Sequence, residues 1–561
     1  MAEHDLVIRG GTVVDGNGGP PAVADVAVTD GVITHVGVVD GDATRTVDAT
    51  GAIVTPGFVD IHSHYDGQAT WDERMIPSAW HGVTTVVMGN CGVGFAPCKP
   101  EDRQRLIELM EGVEDIPGTA LHEGLPWTWE SFPEYLDHLD TRSYDIDIAA
   151  QVPHGAVRLF VMGERGAQRE AATPDEIVEM GRIAREGVVA GALGFTTSRT
   201  MNHKTSRGEP TPTLTAAEDE LVGIATEMGM AGGVLEVVSD FRDLALEFST
   251  MRRMVEASGR PLSISVAAED HRAFWGDLVK QIHAAADDGL PIRGQVAARA
   301  IGVLLGLQAT LNPFGGLPAY REIAKDPLEE RVRTMRDPAF RERLLAEHRE
   351  APKNMIGRFE RMFQLGDPPN YEPDPSTSVA ARAEREGVDP AELAYDMLLT
   401  DDGQEFIYFP LFNWIDGSLN AIGEMLGDEL LLPGLADGGA HVGTICDASF
   451  PTTLLTHWAR DRAEGLPLEW VIRRQCRDTA AAVGLTDRGV IAPGMKADIN
   501  VIDFERLTLR PPKMHFDLPA GGKRLLQTAE GYLHTFVNGT ETYTNGAPTG
   551  ALPGRLVRGA R

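Results

Sequence analysis

The chain has 561 residues, 51 Lys and Arg against 83 Asp and Glu, a formal net charge of −32 and 42% hydrophobic residues. A protein this acidic offers no basic face for holding nucleic acid or an anionic membrane nonspecifically. No apolar run reaches the ~18 residues of a membrane helix, the N-terminus lacks a signal-peptide pattern, and four scattered cysteines make no disulfide framework. A soluble, reduced, cytoplasmic protein is expected.

The first 56 residues alternate in short apolar pieces, from Leu6-Val7-Ile8 to Val32-Ile33, punctuated by Gly10-Gly11, Gly16–Gly19 and Asp30-Gly31. Alternation with period two, bounded by Gly and Asn or Asp, predicts antiparallel strands and hairpins. This stretch is too short to cover a sheet alone. Residues 490–503 and 531–542 have the same character, so a small β-sandwich domain assembled from both termini, residues 1–56 and 486–561, is expected.

Between them the pattern changes. Apolar runs at 58–61, 84–88, 146–152, 192–195, 233–238, 262–266, 292–296 and 430–435 are separated by amphipathic stretches such as 174–186, 215–228, 241–256 and 271–286. A strand followed by a helix-length segment, repeated about eight times, predicts an α/β protein with a (β/α)8 TIM-type barrel over 57–485. The doubly wound alternative would carry a Gly-rich phosphate fingerprint after its first strand, and none is present. A charge- and Pro-rich insertion at about 312–403 is expected to form short helices around a loop near the barrel mouth.

Three strand ends carry chemistry. The run Pro56–Ile61 leads directly into His62-Ser63-His64. Period-two alternation turns both imidazoles to one side, and at the C-terminal end of a barrel strand that side is the mouth. Two neutral imidazoles there suit one divalent cation, most often zinc. The run Thr84–Met88 ends at Gly89-Asn90-Cys91-Gly92, where a thiolate can ligate the same cation or a thiol can simply be buried. Late in the chain, Asp437 follows Gly434-Leu435-Ala436 and precedes Gly438-Gly439-Ala440-His441. It reads either as a ligand and proton acceptor or as an Asp-Gly turn. His154 and Arg158 follow the third apolar run, and Arg199 and Arg299 are candidates for gripping a carboxylate through a bidentate guanidinium.

Taken in order, these residues resemble the amidohydrolase superfamily, in particular its D-aminoacylase / N-acyl-D-amino-acid deacylase branch. The matching segments are Leu6–Asp15, Thr55–His64, Gly82–Gly92, His154-Gly155 with Arg158, Asp437–His441 and Arg488–Asp498. The resemblance implies a barrel with a terminal β domain and hydrolysis of a linear amide, such as an N-acyl-D-amino acid, by a metal-bound water. It assigns His62, His64, Cys91 and Asp437 to the metal and Asp437 also to the general-base role; His154, Arg158, Arg199 and His441 are expected to contact the substrate.

The chain departs from that branch at its fifth and sixth strands. The branch has a metal-binding histidine on each, and here Val234–Ser239 and Leu262–Val266 have none. Glu236, Asp240 and His271 are the available substitutes, and their spacing does not choose among them. Three or four donors suit one Zn²⁺ rather than two. A homo-oligomer acting on a small-molecule amide is expected. The alternatives are a cyclic amidase or deaminase of the same superfamily, or an inactive barrel kept as a structural or regulatory subunit.

Overall fold

The computed structural model describes residues 2–268, 274–352 and 355–559. The chain opens with an antiparallel meander, His4–Val13, Ala22–Thr29 and Val32–Gly37. Its second hairpin turns on Asp30-Gly31, both with positive φ (52° and 73°), the conformation that matches the twist of a two-residue hairpin. Strand His4–Val13 is long enough to pair in parallel with Ala43–Asp48 along its first part and with Ile53–Pro56 along its last. Ile53–Pro56 then pairs antiparallel with Ile499–Ile502, which continues to Tyr532–Val537, Thr540–Thr544 and Ala547–Pro548. The result is one nine-stranded sheet drawn from both ends of the chain. Alternation sends Leu6, Ile8, Val26, Val28, Val54, Ile499, Val501 and Phe536 into a common core, while Val7 and Ala27 meet Val39 on the opposite side.

Eight parallel strands form the barrel. Phe58–Asp60, Val83–Met88 and Asp147–Ala150 pair in one sheet. Val152–Pro153, Gly194–Arg199, Val234–Ser239, Leu262–Val266, Ile292–Val296 and Leu431–Pro433 pair in a second. The third strand bends at Gln151 and so belongs to both. Closure is made by backbone bonds between the exits of the first and eighth strands: His64 N–H to Gly438 O at 2.7 Å and Asp437 N–H to His62 O at 3.1 Å. These two bonds fix the relative height of the residues that carry the chemistry.

The amphipathic stretches are helices Pro174–Ala190, Glu218–Gly229, Leu244–Ser258 and Phe274–Asp287; the beginning of the last expected stretch lies outside the described residues. Pro174–Ala190 starts with a reciprocal box, Thr173 Oγ1 accepting from Glu176 N–H and the Glu176 carboxylate accepting from Thr173 N–H, a cap worth about 1 kcal/mol. Between the seventh and eighth strands lies a body larger than its charge- and Pro-rich middle. An antiparallel sheet of Ile301–Leu305, Ile407–Phe412 and Phe363–Gln364 is covered by helices including Pro338–Glu350 and Pro390–Leu398. Leu305, Phe314, Tyr395, Leu398 and Ile407 give it a core of its own. Its two main strands lie outside 312–403 because they are apolar runs, indistinguishable in pattern from barrel strands. Among the described residues no helix is long and apolar enough to cross a membrane.

Candidate active site

The exit of the first strand is held on both sides. Asp60 Oδ1 accepts the His62 N–H at 3.0 Å, and Ser63 donates from both N–H and Oγ to Val87 O of the second strand. With the backbone pinned, His62 and His64 face inward, fully buried, their ring centroids 5.5 Å apart. Each imidazole faces a polar side chain at Nδ1. His62 Nδ1 is 2.8 Å from Gln295 Oε1 of the seventh strand, and Gln295 Nε2 in turn donates to Ser263 Oγ of the sixth. His64 Nδ1 lies 3.3 Å from Glu114 Oε1. The Nε2 atoms are thereby left to face one point. His62 Nε2 is 3.3 Å from Cys91 Sγ and 3.5 Å from Asp437 Oδ1, and His64 Nε2 is 3.7 Å from the same oxygen.

Cys91 is delivered by a tight turn after the second strand. Gly89, Cys91 and Gly92 have φ of 84°, 56° and 66°, and positive φ at a non-glycine residue is tolerated only where the surroundings hold it. They do so here: Asn90 Nδ2 donates to Ser63 O and Val87 O, and Cys91 N–H donates to Glu236 Oε2 at 3.0 Å. A Cβ at Gly92 would sit 2.8 Å from Thr197 Cα, so the turn is seated directly on the fourth strand. Asp437 is delivered by another strained turn, in which Leu435, Asp437, Gly439 and His441 all have positive φ.

The ligand atoms of His62, His64 and Cys91 fall within 4.8 Å of one another, and Asp437 Oδ1 closes the group. Two imidazoles, a thiol and a carboxylate suit a borderline-soft dication such as zinc. Electrostatics agree with that fit. Burial pulls His64 down, but Glu114, Asp437 and Asp66 outweigh it and raise the imidazole to about 9. Burial and its imidazole neighbour lower His62 to about 4 despite the opposing pull of Asp437. Both Glu114 oxygens and His64 Nδ1 are buried without an aligned hydrogen-bond partner, so this centre carries negative charge that calls for a cation. Burial and the Glu236, Glu114 and Asp437 carboxylates push the Cys91 thiol up; it ligates where a metal takes the place of its proton. Burial would also raise Asp437, yet hydrogen bonding to His64 and the charges of His62, His64 and His441 hold it far below the usual carboxylate range.

A cavity of about 300 Å³ opens over this group, lined by His62, His64, Cys91, Glu114, Asp437 and His441 among others, a volume suited to a small organic molecule. His441 Nε2 lies 3.7 Å from Glu114 Oε2, which places Glu114 between two histidines. The other expected substrate residues lie elsewhere. His154 and Arg158 are buried against Glu220, His154 Nε2 at 3.0 Å and Arg158 Nε at 2.8 Å from Oε1. Arg199 makes a two-pronged pair with Glu247 at 2.7 and 3.0 Å. Arg299 lies against the Tyr371 ring, 3.6 Å from its centroid, and reaches Asp447 at 3.3 Å. None of these four lines the cavity. Their guanidinium and imidazole groups are committed to protein partners 48 to 148 residues away.

Of the candidate substitutes on the fifth strand, Glu236 turns to the Cys91 turn and Asp240 lines the cavity; His271 lies outside the described residues. On the sixth strand Ser265 lines the cavity, its Oγ without a hydrogen-bond partner. Glu114 and Gln295 went unread in the sequence. The signal for Glu114 was available: in helix Arg103–Glu114 it shares the buried face of Leu106, Ile107, Met110 and Val113, at the spacing of an apolar stripe. A carboxylate on that stripe has to be held by something.

A closed parallel barrel with nitrogen, sulfur and oxygen donors meeting at its C-terminal mouth defines a metal-dependent hydrolase barrel. Residues 45–543 match the Amidohydrolase family, and the chain belongs to it. The D-aminoacylase of Alcaligenes xylosoxydans xylosoxydans is 26% identical over 557 residues, covering 99% of this chain and 97% of its own. The N-acyl-D-glutamate deacylase of the same organism is 28% identical over 563 residues, 99% and 96% of the two chains. Among solved structures, D-aminoacylase superposes with a TM-score of 0.66 at 22% identity, over 99% of this chain and 100% of that one. The N-acyl-D-glutamate deacylase of Bordetella bronchiseptica, solved with zinc and a phosphonate inhibitor, gives 0.65 at 22%, over 99% of each. These likenesses set the chain in the D-aminoacylase branch of the superfamily.

Proposed function

We propose that the protein hydrolyses a linear amide bond, of an N-acyl (D-)amino acid or a related small amide, with one zinc ion held by His62, His64, Cys91 and Asp437. The observation that carries this reading is the approach of His62 Nε2, His64 Nε2 and Cys91 Sγ to one another and of both imidazoles to Asp437 Oδ1, beneath a cavity of ligand size. A bound zinc ion supplies a Lewis acid for the amide carbonyl and an acidified water. Asp437 is ionised across the neutral range and takes the proton that the water gives up. The same carboxyl then returns it to the nitrogen of the leaving amine. Gln295 and Glu114 keep the imidazoles turned with Nε2 inward. His441, at the cavity wall, contacts the substrate.

In this reading residues 57–485 form the catalytic barrel and 1–56 with 486–561 the β domain, supported by the pairing of Ile53–Pro56 with Ile499–Ile502. The protein is a cytoplasmic homo-oligomer, and its four unpaired cysteines agree with a reducing compartment.

Elemental analysis of protein purified without chelator, beside the His62→Ala/His64→Ala double variant, tests the metal. About one zinc per chain that the double variant loses is expected; protein that takes up no metal even from added zinc refutes the reading. A panel of N-acyl amino acids, simple acylamines, hydantoins and aminated heterocycles then separates linear amide hydrolysis from cyclic amidase and deaminase activity.

A further inference from the structure

The interior of the barrel is only partly filled. A barrel of this kind is normally packed by layers of branched side chains, and Val59, Ile61, Val87, Ala149 and Leu432 pack together along the first three strands and the eighth. Toward the fifth, sixth and seventh strands lies a second cavity of about 510 Å³. Its rim is set where those strands begin, at Val234, Leu262 and Arg293, on the face opposite the active-site mouth, and its inner end by Gln151, Ser263 and Gln295. Among the described residues it shares no lining residue with the cavity above. Gln295 divides the two, its Oε1 lying 2.8 Å from His62 Nδ1. The groups at both ends are incompletely engaged. Gln151 is 2% exposed, and its Oε1 is buried without a hydrogen-bond partner. Ser263 Oγ accepts from Gln295 Nε2 at 2.8 Å, and none of the described residues takes its own proton. One acceptor and one donor are thus left open at the inner end. At the rim Arg293 is exposed; among the described residues no carboxylate pairs with it, and its Nη1 reaches Glu429 O at 3.5 Å. Arg473 and Arg477 stand beside it and share Glu429 and Asp478. Three guanidinium groups against two carboxylates give this opening a positive surplus, on a chain whose formal charge is −32.

We propose that this cavity is a second ligand site, one that takes a short organic carboxylate with a hydroxyl at its far end. The proposal does not depend on the reaction proposed above. A carboxylate matches the guanidinium fork of Arg293. The walls of Leu235, Leu262, Leu432 and Val483 suit a few methylenes. At the inner end a hydroxyl donates to Gln151 Oε1 and accepts from Ser263. Arg293 and Gln295 are two residues apart on one strand, about 7 Å of rise, which sets the chain at about five or six carbons. Water can satisfy the inner donor and acceptor, but it leaves the charge at the rim unanswered. The bound ligand lies one side chain below His62, within reach of the active centre without occupying it.

The probe is 6-hydroxyhexanoate, titrated calorimetrically into the full chain beside 1,6-hexanediol, which lacks the charge, and inorganic phosphate, which lacks the carbon chain. The hydroxy acid is expected to bind at one site, about tenfold or more tighter than either control. Arg293→Glu reverses the charge at the rim, and Ala482→Met puts a longer side chain on the cavity wall. Each should weaken binding by about tenfold or more, whereas Asp437→Ala, in the upper cavity, should leave it within about threefold of wild type. If Ala482→Met does not fold, Arg293→Glu, at an exposed position, decides alone. Three results overturn the proposal: no binding of the hydroxy acid at millimolar concentration, binding that the floor variants leave unchanged, and tighter binding of either control. Binding that Asp437→Ala abolishes also overturns it, because the ligand then sits in the active site.

Discussion

Replacing Glu114 by Gln should lower two properties at once, the affinity for zinc and the stability of the metal-free fold. The carboxylate is 1% exposed, has no aligned hydrogen-bond partner, and lies 3.3 Å from His64 Nδ1 and 3.7 Å from His441 Nε2. Burial raises its pKa, with the two imidazoles opposing. In the metal-free protein Glu114 faces the His64 imidazole that it helps to keep protonated, and removing one partner of a buried pair costs on the order of a few kcal/mol, so Glu114→Gln should melt lower than wild type when both are stripped of metal by chelator. The same carboxylate orients a metal-binding imidazole and contributes negative charge to the centre. Loss of such a partner typically weakens metal binding ~10–100-fold, or about 1.4–2.7 kcal/mol. A contact-distance Coulomb attraction of about 4 kcal/mol at an effective dielectric of 20 sets the upper limit. Competition titration against a zinc chelator measures the affinity, and thermal melts in excess chelator measure the fold. Glu114→Ala, which loses the shape as well, should bind zinc no better than Glu114→Gln. An affinity for zinc within about threefold of wild type in both variants, with the fold intact by circular dichroism, would refute the reasoning.

Two predictions concern the frame around the site. Asp147 on the third strand accepts from Arg488 and Lys496, both at 2.7 Å, and from Arg555 N–H at 3.0 Å, tying the C-terminal segment to the barrel. Asp147→Ala should destabilise by about 3 kcal/mol, the lower end of the cost of stripping a buried pair, because Arg488 keeps Asp487 at 2.9 Å; the urea midpoint measures it. His81 is buried between Thr452 Oγ1 and Gln527 O, each at 2.9 Å, and burial lowers it to about 3. Between its unfolded value near 6.5 and about 3, the unfolded chain binds a proton that the folded chain does not. Its contribution is therefore present above pH ~6.5 and is lost as pH falls, at up to about 1.4 kcal/mol per pH unit. Urea midpoints measured from pH 7.5 to 4.5 should fall less steeply in His81→Gln than in wild type, and parallel curves would contradict the assignment.

The sequence carried the barrel because each strand exit is an apolar run, and most helices between them keep a stripe at helical spacing. The candidate donors that the fold brings together were equally plain. His62 and His64 are related by the strand period itself, and Cys91 and Asp437 sit where runs end against glycine. Arg158 and Arg199 misled for a physical reason. They stand at strand exits, where a substrate grip would be, but Glu220 and Glu247 lie on the helices after the fourth and fifth strands, 62 and 48 residues away. Nothing local announces such a pairing. Gln295 was invisible on the same grounds: a polar residue on a barrel strand is unremarkable until its partner, His62, is known to lie 2.8 Å away.

The fifth strand carries a carboxyl, Glu236, where the resemblance to the deacylase branch leads one to expect an imidazole. Glu236 points into the barrel and is raised to about 8, chiefly by burial, with Cys91 N–H opposing. Its Oε2 accepts from Cys91 N–H while Oε1 has no hydrogen-bond partner. That bond braces the strained turn that carries Cys91. On the sixth strand Ser265 offers only a hydroxyl, and Ser263 is engaged by Gln295 Nε2 at 2.8 Å. Residues of the fifth and sixth strands instead brace the candidate donors, Glu236 through Cys91 and Ser263 through Gln295 and His62. With one cation held, as proposed, by donors from the first, second and eighth strand exits, the fifth and sixth exits shape the cavity wall through Asp240, Phe241 and Phe274.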